Sequence, residues 1–272
     1  MRAIGVFDSG IGGFSILREI HKLLPGMPIH YFADQAHVPY GPRSLEEIRT
    51  FAEGVTRFLL AIEAQLIVVA CNTASAAALH HLRKVHTMVP FVGMEPAVKP
   101  AAQSSRSHKV AVLATPTTFD GELFSSVVER FAQDVEVIKI TLPGLVKLIE
   151  TGEVDGRQTD NILKMHLESV IADGVDTLVL ACTHYPFIIP SIHRLFGSKI
   201  KVIDPAPAIA KQTSRVLRRM ANKIESGTPA KINYYSTGDP EALANLALQL
   251  IGIPGNPCAV HWVGMNEVQD KP

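Results

Sequence analysis

Cysteine is scarce in this chain: three residues in 272, an odd number. A disulfide framework of the kind that staples small secreted domains is therefore not expected. The thiols are either core residues or working groups. An excess of one charge sign is also missing. Lys plus Arg and Asp plus Glu each total 26, and no basic segment stands out, which argues against nucleic acid as a partner. No apolar run approaches the roughly 20 residues of a membrane span. The opening "MRAIGVFDSG" reaches Asp8 too early for a secretory leader. A cytoplasmic protein with no membrane partner is expected. Glycine and proline are spread along the chain rather than gathered in tracts. With 47% hydrophobic and 19% charged residues, the profile is globular rather than disordered. A chain of this length buries about 75% of its unfolded surface.

What is present is a regular alternation of short apolar runs and helical patterns. Candidate strands are Ile4–Asp8, Ile29–Asp34, Leu66–Ala70, Phe91–Gly93, Val110–Ala114, Val135–Ile140, Thr177–Ala181, Val202–Asp204 and Lys231–Tyr235. Ser44 followed by Glu47 reads as a capping box. It opens a helix whose apolar face is Ile48, Phe51, Val55, Leu59 and Ile62. Phe14, Leu17, Ile20 and Leu24 form a second face, closed by Pro25-Gly26. Leu163, Leu167, Val170 and Ile171 form a third, with Gly174 as its stop. Strands alternating with helices predict βαβ units and a mostly parallel sheet covered on both faces.

The two halves resemble each other. "VVACNTASAA" (Val68–Ala77) and "VLACTHYP" (Val179–Pro186) each run from aliphatic residues into Ala-Cys and then Thr. Cys71 lies 63 residues after Asp8, and Cys182 lies 67 after Thr115, the ends of the corresponding first strands. Two doubly wound, flavodoxin-like α/β units related by pseudo-symmetry are expected, each with a cysteine after its third strand. The tail after Asp204, with a helix near Ile209–Ile224, either extends the first unit or forms its own layer. Ligands of such sheets bind beyond the carboxyl ends of strands, where strand order reverses. That places Asp8 with Cys71 and Thr115 with Cys182. If the units face each other, two thiols meet across one cavity.

Several readings of these residues compete. Free cysteine often simply packs, but two cysteines at matched strand ends followed by small or polar residues favour a functional role. A helix start near Asn72 or Thr73 favours thiolate at Cys71, and a modest downward shift would make it a base near neutral pH. His184, two residues beyond Cys182, points the same way if the segment is extended and would protonate, orient or tune that thiol. "DSGIGG" (Asp8–Gly13) suggests a dinucleotide loop followed by the acidic Asp34, yet the third glycine of that fingerprint falls on Ser15. The same turn suits a carboxylate, or no ligand at all. Cys182, His184 and Asp8 are candidate zinc ligands without zinc-like spacing, so no metal is expected. His80, His81 and His86 read as a solvated helix face, and Cys258 as structural.

Taken together, "DSGIGG", "VPYG" (Val38–Gly41), "ACNTAS" (Ala70–Ser75), "GMEPAVKPA" (Gly93–Ala101), "PGLVKLIE" (Pro143–Glu150), "ACTHYP" (Ala181–Pro186) and "STGDP" (Ser236–Pro240) resemble the glutamate racemase family. Each motif alone is weak; the ordered set is specific, and it points to the glutamate rather than the aspartate branch. The resemblance implies cofactor-independent interconversion of L- and D-glutamate for bacterial cell-wall precursors. It also implies two facing domains, residues 1–96 with 207–272 and residues 97–206, and it brings the expectation of a homodimer. Carried over, Cys71 takes the α-proton of D-glutamate and Cys182 that of L-glutamate. Asp8 assists Cys71; Glu150 and His184 assist Cys182. Asp8, Ser9, Tyr40, Gly41, Asn72, Thr73, Thr118, Thr183 and His184 form the substrate site. His37 departs from the arginine that many members carry before "VPYG", which suggests a change in local charge rather than lost chemistry. A binding module that has lost its chemistry, a racemase for another amino acid, and a cysteine hydrolase are the competing functions.

Overall fold

The computed structural model describes residues 3–220 and 230–270. The chain begins with β1 (Ala3–Asp8), α1 (Phe14–Leu23), β2 (Ile29–Ala33), α2 (Leu45–Ala61), β3 (Ala64–Val69), α3 (Asn72–Val85) and β4 (Phe91–Gly93). A second series follows: α4 (Val98–Ser104), β5 (Lys109–Ala114), α5 (Pro116–Asp120), α6 (Glu122–Phe131), β6 (Glu136–Ile140), α7 (Leu145–Glu150), α8 (Arg157–Ala172), β7 (Thr177–Ala181), α9 (Ile189–Phe196) and β8 (Lys201–Ile203). The tail adds α10 (Ala206–Arg219), β9 (Ile232–Ser236), α11 (Pro240–Ile251), β10 (Asn256–Val263) and β11 (Glu267–Asp270).

Among the described residues these strands form two sheets, ordered β11-β10-β9-β2-β1-β3-β4 and β6-β5-β7-β8. All pairs are parallel except β10 with β11. The blocks β2-β1-β3-β4 and β6-β5-β7-β8 share one winding, with the first strand between the second and the third. The internal repeat expected from the cysteine spacing is thus present in the topology, and each sheet reverses its strand order beside the strand that delivers a cysteine. The strands β1, β3, β5 and β7 are buried almost throughout, as parallel strands covered by helices on both faces must be.

The helices form where their signals stand. Ser44 and Glu47 make the reciprocal capping box, and Ile48, Phe51, Val55 and Leu59 are buried beneath α2. Phe14, Leu17, Ile20 and Leu24 are buried beneath α1. Helix α8 buries Leu163 and Leu167, and Gly174 follows its end at φ +99°. The helix expected over Ile209–Ile224 spans Ala206–Arg219, and its final positions, 221–224, lie outside the described residues.

The tail extends the first sheet. Strand β9 pairs with β2 in the register Ile29↔Ile232, and α10 returns to pack on α1. The hairpin β10–β11 is an addition to the strands foreseen from sequence. Its segment begins Asn256-Pro257 and is mostly half-exposed, so it lacks the buried apolar run that marks the inner strands.

Candidate active site

Four strand ends meet between the two sheets. Ser9 after β1, Cys71 after β3, Thr115 after β5 and Cys182 after β7 line one cavity with Pro39, Tyr40, Gly41, Asn72, Thr73, Val146, Thr183 and His184. The cavity is tight: about 20 Å³ is open to the centre of a water molecule, room for one or two waters. Cys71 and Cys182 are free thiols, 5% and 6% exposed. The position of the thiols follows from the fold: two strands of like rank each end in a cysteine at a switch point.

On the first side, Cys71 caps α3, and its Sγ accepts the Ala74 N–H at 3.4 Å. The helix start does not produce the thiolate expected of it. Burial, together with the nearby Asp8 charge, pushes the Cys71 thiol up to about 12, and the Ala74 N–H offsets only part of this. Asp8 is fully buried. Its Oδ1 accepts the Gly10 N–H and its Oδ2 the Thr183 hydroxyl, each at 2.9 Å. Burial raises the Asp8 pKa, although His184 and those two donors pull it down.

On the second side, Cys182–His184 is a turn, not an extended segment; His184 has helical dihedrals, φ −72° and ψ −32°. The ring meets the thiol because the chain curls, not because strand side chains alternate. His184 Nδ1 lies 3.7 Å from Cys182 Sγ, and Nε2 meets Glu150 Oε1 at 2.5 Å. The Ile11 N–H also donates to that oxygen, at 2.9 Å. Burial alone would lower the His184 pKa, but its bonds to Cys182 and Glu150 raise it well above the usual imidazole value. Cys182, His184 and Glu150 therefore form one hydrogen-bonded chain.

This arrangement explains the glycines of "DSGIGG". A Cβ on Gly12 would lie 2.5 Å from His184 Nδ1, so only glycine lets the turn approach the ring. The turn does hold carboxylates through its N–H groups, as its sequence suggests, but they are the protein's own: Asp8 on Gly10 and Glu150 on Ile11. A phosphate-binding role leaves those two donors unexplained. Ser15, in place of the third glycine, donates to the carbonyls of Gly12 and Thr183.

The remaining expected residues divide by position. Asn72 is 4% exposed and lines the cavity, yet neither its Nδ2 nor its Oδ1 has a hydrogen-bond partner. An unsatisfied buried amide in a cavity wall is a ready site for a polar ligand. The hydroxyls of Thr73, Thr115 and Thr118 form a triangle with sides of 3.0, 3.4 and 2.9 Å. Thr115 lines the cavity, whereas Thr118 stands behind it. Asp8 and Glu150 also lie behind the wall, bonded to Thr183 and His184. Tyr40 lines the cavity, and its hydroxyl donates to Asp34 at 2.7 Å. Pro39, Thr115 and Val146 belong to the wall without having been foreseen as substrate contacts; Val146 sits in "PGLVKLIE", the signal that could have marked it.

Away from the cavity, His37 stacks on Phe51. The expected solvated histidine face is only partly that: His80 is exposed, but His81 and His86 both face Glu53, and His86 caps the end of α3. Cys258 is half-exposed on β10. Among the described residues no group of His, Cys, Asp and Glu has a metal-binding arrangement.

Known proteins place this geometry. The sequence profile of the Asp/Glu/Hydantoin racemase family matches residues 4–213. The chain belongs to that family. It is 46% identical over 251 residues to the glutamate racemase of Roseiflexus sp. (strain RS-1), covering 92% of each chain. The crystal structure of glutamate racemase isoform RacE1 from Bacillus anthracis superposes with a TM-score of 0.85 at 27% identity, over 98% of this chain and 99% of that one. The Escherichia coli glutamate racemase, solved with L-glutamate and the activator UDP-MurNAc-ala, superposes with a TM-score of 0.82 at 27% identity, over 95% and 97% of the two chains. As a member of this racemase family the chain is an isomerase. The profile match stops at residue 213, so β9, α11 and the β10–β11 hairpin lie beyond it.

Proposed function

We propose that this chain interconverts L- and D-glutamate by passing the α-proton between Cys71 and Cys182 with no cofactor. The observation that carries the reading is the pair of buried free thiols, delivered by like strands of two like-wound sheets to one cavity. Inverting one carbon requires a base on one face and an acid on the other. Two identical groups serve both directions, because each exchanges roles when the substrate's hand is reversed.

The charge state of the site fits this use. With its pKa at about 12, the Cys71 thiolate stands roughly 7 kcal/mol above the thiol at pH 7. The resting thiol is an acid ready to donate. A substrate ammonium beside the thiol favours the thiolate, so substrate binding offsets part of the cost of deprotonation. When D-glutamate binds, the Cys71 thiolate takes the α-proton, and the Cys182 thiol protonates the opposite face. When L-glutamate binds, Cys182 is the base and Cys71 the acid. Asp8 sets the charge around Cys71, while the His184–Glu150 pair serves Cys182. The negative charge that develops on the substrate is met by fixed donors in a water-poor cavity. Asn72 supplies an amide that nothing else satisfies; Ser9, Thr73, Thr118, Thr183 and the Tyr40–Gly41 segment complete the substrate site.

The same reading sets the protein's context. The D-glutamate product serves peptidoglycan synthesis, in the cytoplasm, and the chain acts as a homodimer. The domain division runs 1–96 with 207–272, and 97–206. It is supported by the strands of the first sheet, which lie within residues 3–93 and 232–270, and those of the second, within 109–203.

The test is a chiral assay in deuterated water with purified protein and no added cofactor. Each glutamate enantiomer should yield the other with deuterium at Cα, and aspartate should give a much lower kcat/KM. A folded protein that neither racemises glutamate nor exchanges its α-proton would sink the proposal.

A further inference from the structure

Asp34 has no exposed surface, and four side chains converge on its carboxylate. Tyr40 Oη and His37 Nδ1 meet Oδ2 at 2.7 and 2.9 Å. Trp262 Nε1 and Thr237 Oγ1 meet Oδ1 at 2.7 and 3.0 Å. The first two belong to the loop after β2 that supplies the cavity wall. The other two come from the end of β9 and from β10, both beyond residue 213, where the family match stops. Around this carboxylate the rings lock together. His37 stacks on Phe51 with centroids 3.9 Å apart and planes 8° apart, and Trp262 packs against both. Gly54 of α2 leaves room for the indole; a Cβ there would fall 2.6 Å from it.

A buried carboxylate is a poor device for stability alone, because desolvation opposes the gain from its partners. It is a good device for fixing directions, since each strong bond to a charged oxygen is short and oriented. Of the four donors, Tyr40 alone lines the catalytic cavity, and it precedes Gly41, whose carbonyl accepts the Thr117 hydroxyl.

We propose that Asp34 is a positioning residue for the substrate wall, and that Thr237 and Trp262 belong to the same device. Through Asp34, the C-terminal hairpin holds Tyr40 and Gly41 against the substrate. This rests on the racemase reading of the cavity. It also assigns catalytic relevance to a segment beyond the part of the chain that the family profile matches.

The experiment uses Trp262→Phe, which keeps a ring and removes the N–H donor, with Thr237→Val as a second variant that leaves the aromatic packing untouched. Both are assayed for glutamate racemisation, and both are labelled with iodoacetamide, with the rate read at each cysteine by mass spectrometry. Expected are a KM about 10-fold higher with kcat within about 2-fold, the size of one charge-assisted hydrogen bond, and Cys71 alkylation at least 5-fold faster. Cys258 lies on β10 with Trp262 and reports on the hairpin itself, so its labelling should not change. Tyr40→Phe combined with Trp262→Phe should raise KM less than the product of the single effects. Unchanged KM and unchanged Cys71 labelling in both variants would overturn the proposal. So would Cys258 labelling that rises in step with Cys71, since the hairpin would then merely have opened. The labelling reads the wall whether or not the protein turns over glutamate, so a failed racemase reading and a failed positioning role give different results.

Discussion

Thr183 donates its hydroxyl to Asp8 at 2.9 Å, joining residues 175 positions apart across the junction of the two sheets. The same junction is crossed by the Ile11 N–H on Glu150, by Ser15 on the Thr183 carbonyl and by Thr117 on the Gly41 carbonyl. The loops that carry the chemistry are therefore also the loops that hold the two sheets together. Little free space is left between them.

Replacing either thiol tests the two-base geometry. Cys71→Ser and Cys182→Ser should each lower racemisation by at least 10³-fold, within the range for loss of a positioned acid or base. Solvent deuterium should still enter L-glutamate with Cys71→Ser and D-glutamate with Cys182→Ser, because the surviving thiol can remove and return a proton on its own face. Chiral chromatography with mass detection separates the two quantities. Wild-type turnover in either variant is incompatible with the mechanism.

His184 is bonded to Cys182 alone of the two thiols, yet its loss should not favour one direction in kcat/KM. Enantiomers have equal free energy, so the two values must fall together. We expect His184→Asn to reduce both by about 10²-fold, with the asymmetry confined to kcat and KM taken separately. The pKa of His184 is raised in the fold, so its contribution to stability is full below about pH 6.5 and is lost as the pH climbs through the folded value. The gap in melting temperature between wild type and His184→Asn should accordingly be widest in acid and narrow toward alkaline pH.

Asp8→Asn should separate stability from activity. The Asp8 pKa is raised by burial. Its stabilising contribution therefore belongs to the protonated form, present below about pH 3.9 and lost as the pH rises through the folded value. Burial outweighs His184 and the Gly10 and Thr183 donors, so the ionised form is disfavoured relative to the protonated one. The asparagine variant should melt higher at pH 7, by about 2–4 °C for each kcal/mol relieved, with less advantage near pH 4, while racemisation falls by about 10²-fold or more. A variant that melts lower at pH 7 with unchanged activity contradicts both halves.

Asn72→Leu addresses the amide left without partners. Removing an unsatisfied buried polar group relieves about 1–3 kcal/mol, so thermal unfolding should shift upward. The KM for glutamate should rise at least 10-fold, because the substrate loses the only use that amide has. Calorimetry and steady-state kinetics on one preparation give both numbers; an unchanged KM removes Asn72 from the substrate site.

Much of this protein is legible along the chain. An inner strand such as Thr177–Ala181 matches its sequence-based limits, because a strand buried on both faces must be continuously apolar. The Ser44–Glu47 capping box forms because both partners sit within one turn. The matched cysteines disclose the repeat, since a parallel sheet delivers residues of like rank to like places. The hairpin β10–β11 escapes this reading because an edge strand need not be apolar.

Sequence by itself determined the inner strands, the main amphipathic helices and the reactive side chains at the strand ends, since these depend on periodicity and on interactions a few residues long. Tertiary structure alone decided the electrostatic state of those side chains. The Cys71 thiol rises where its helix start would lower it, because burial and Asp8 outweigh one N–H. His184 reaches Cys182 through a turn and meets a Glu150 that lies 34 residues away. Asp34 gathers donors from up to 228 positions along the chain. Charge and desolvation act through space, so the chemistry of a residue is set by neighbours that its own stretch of sequence does not contain.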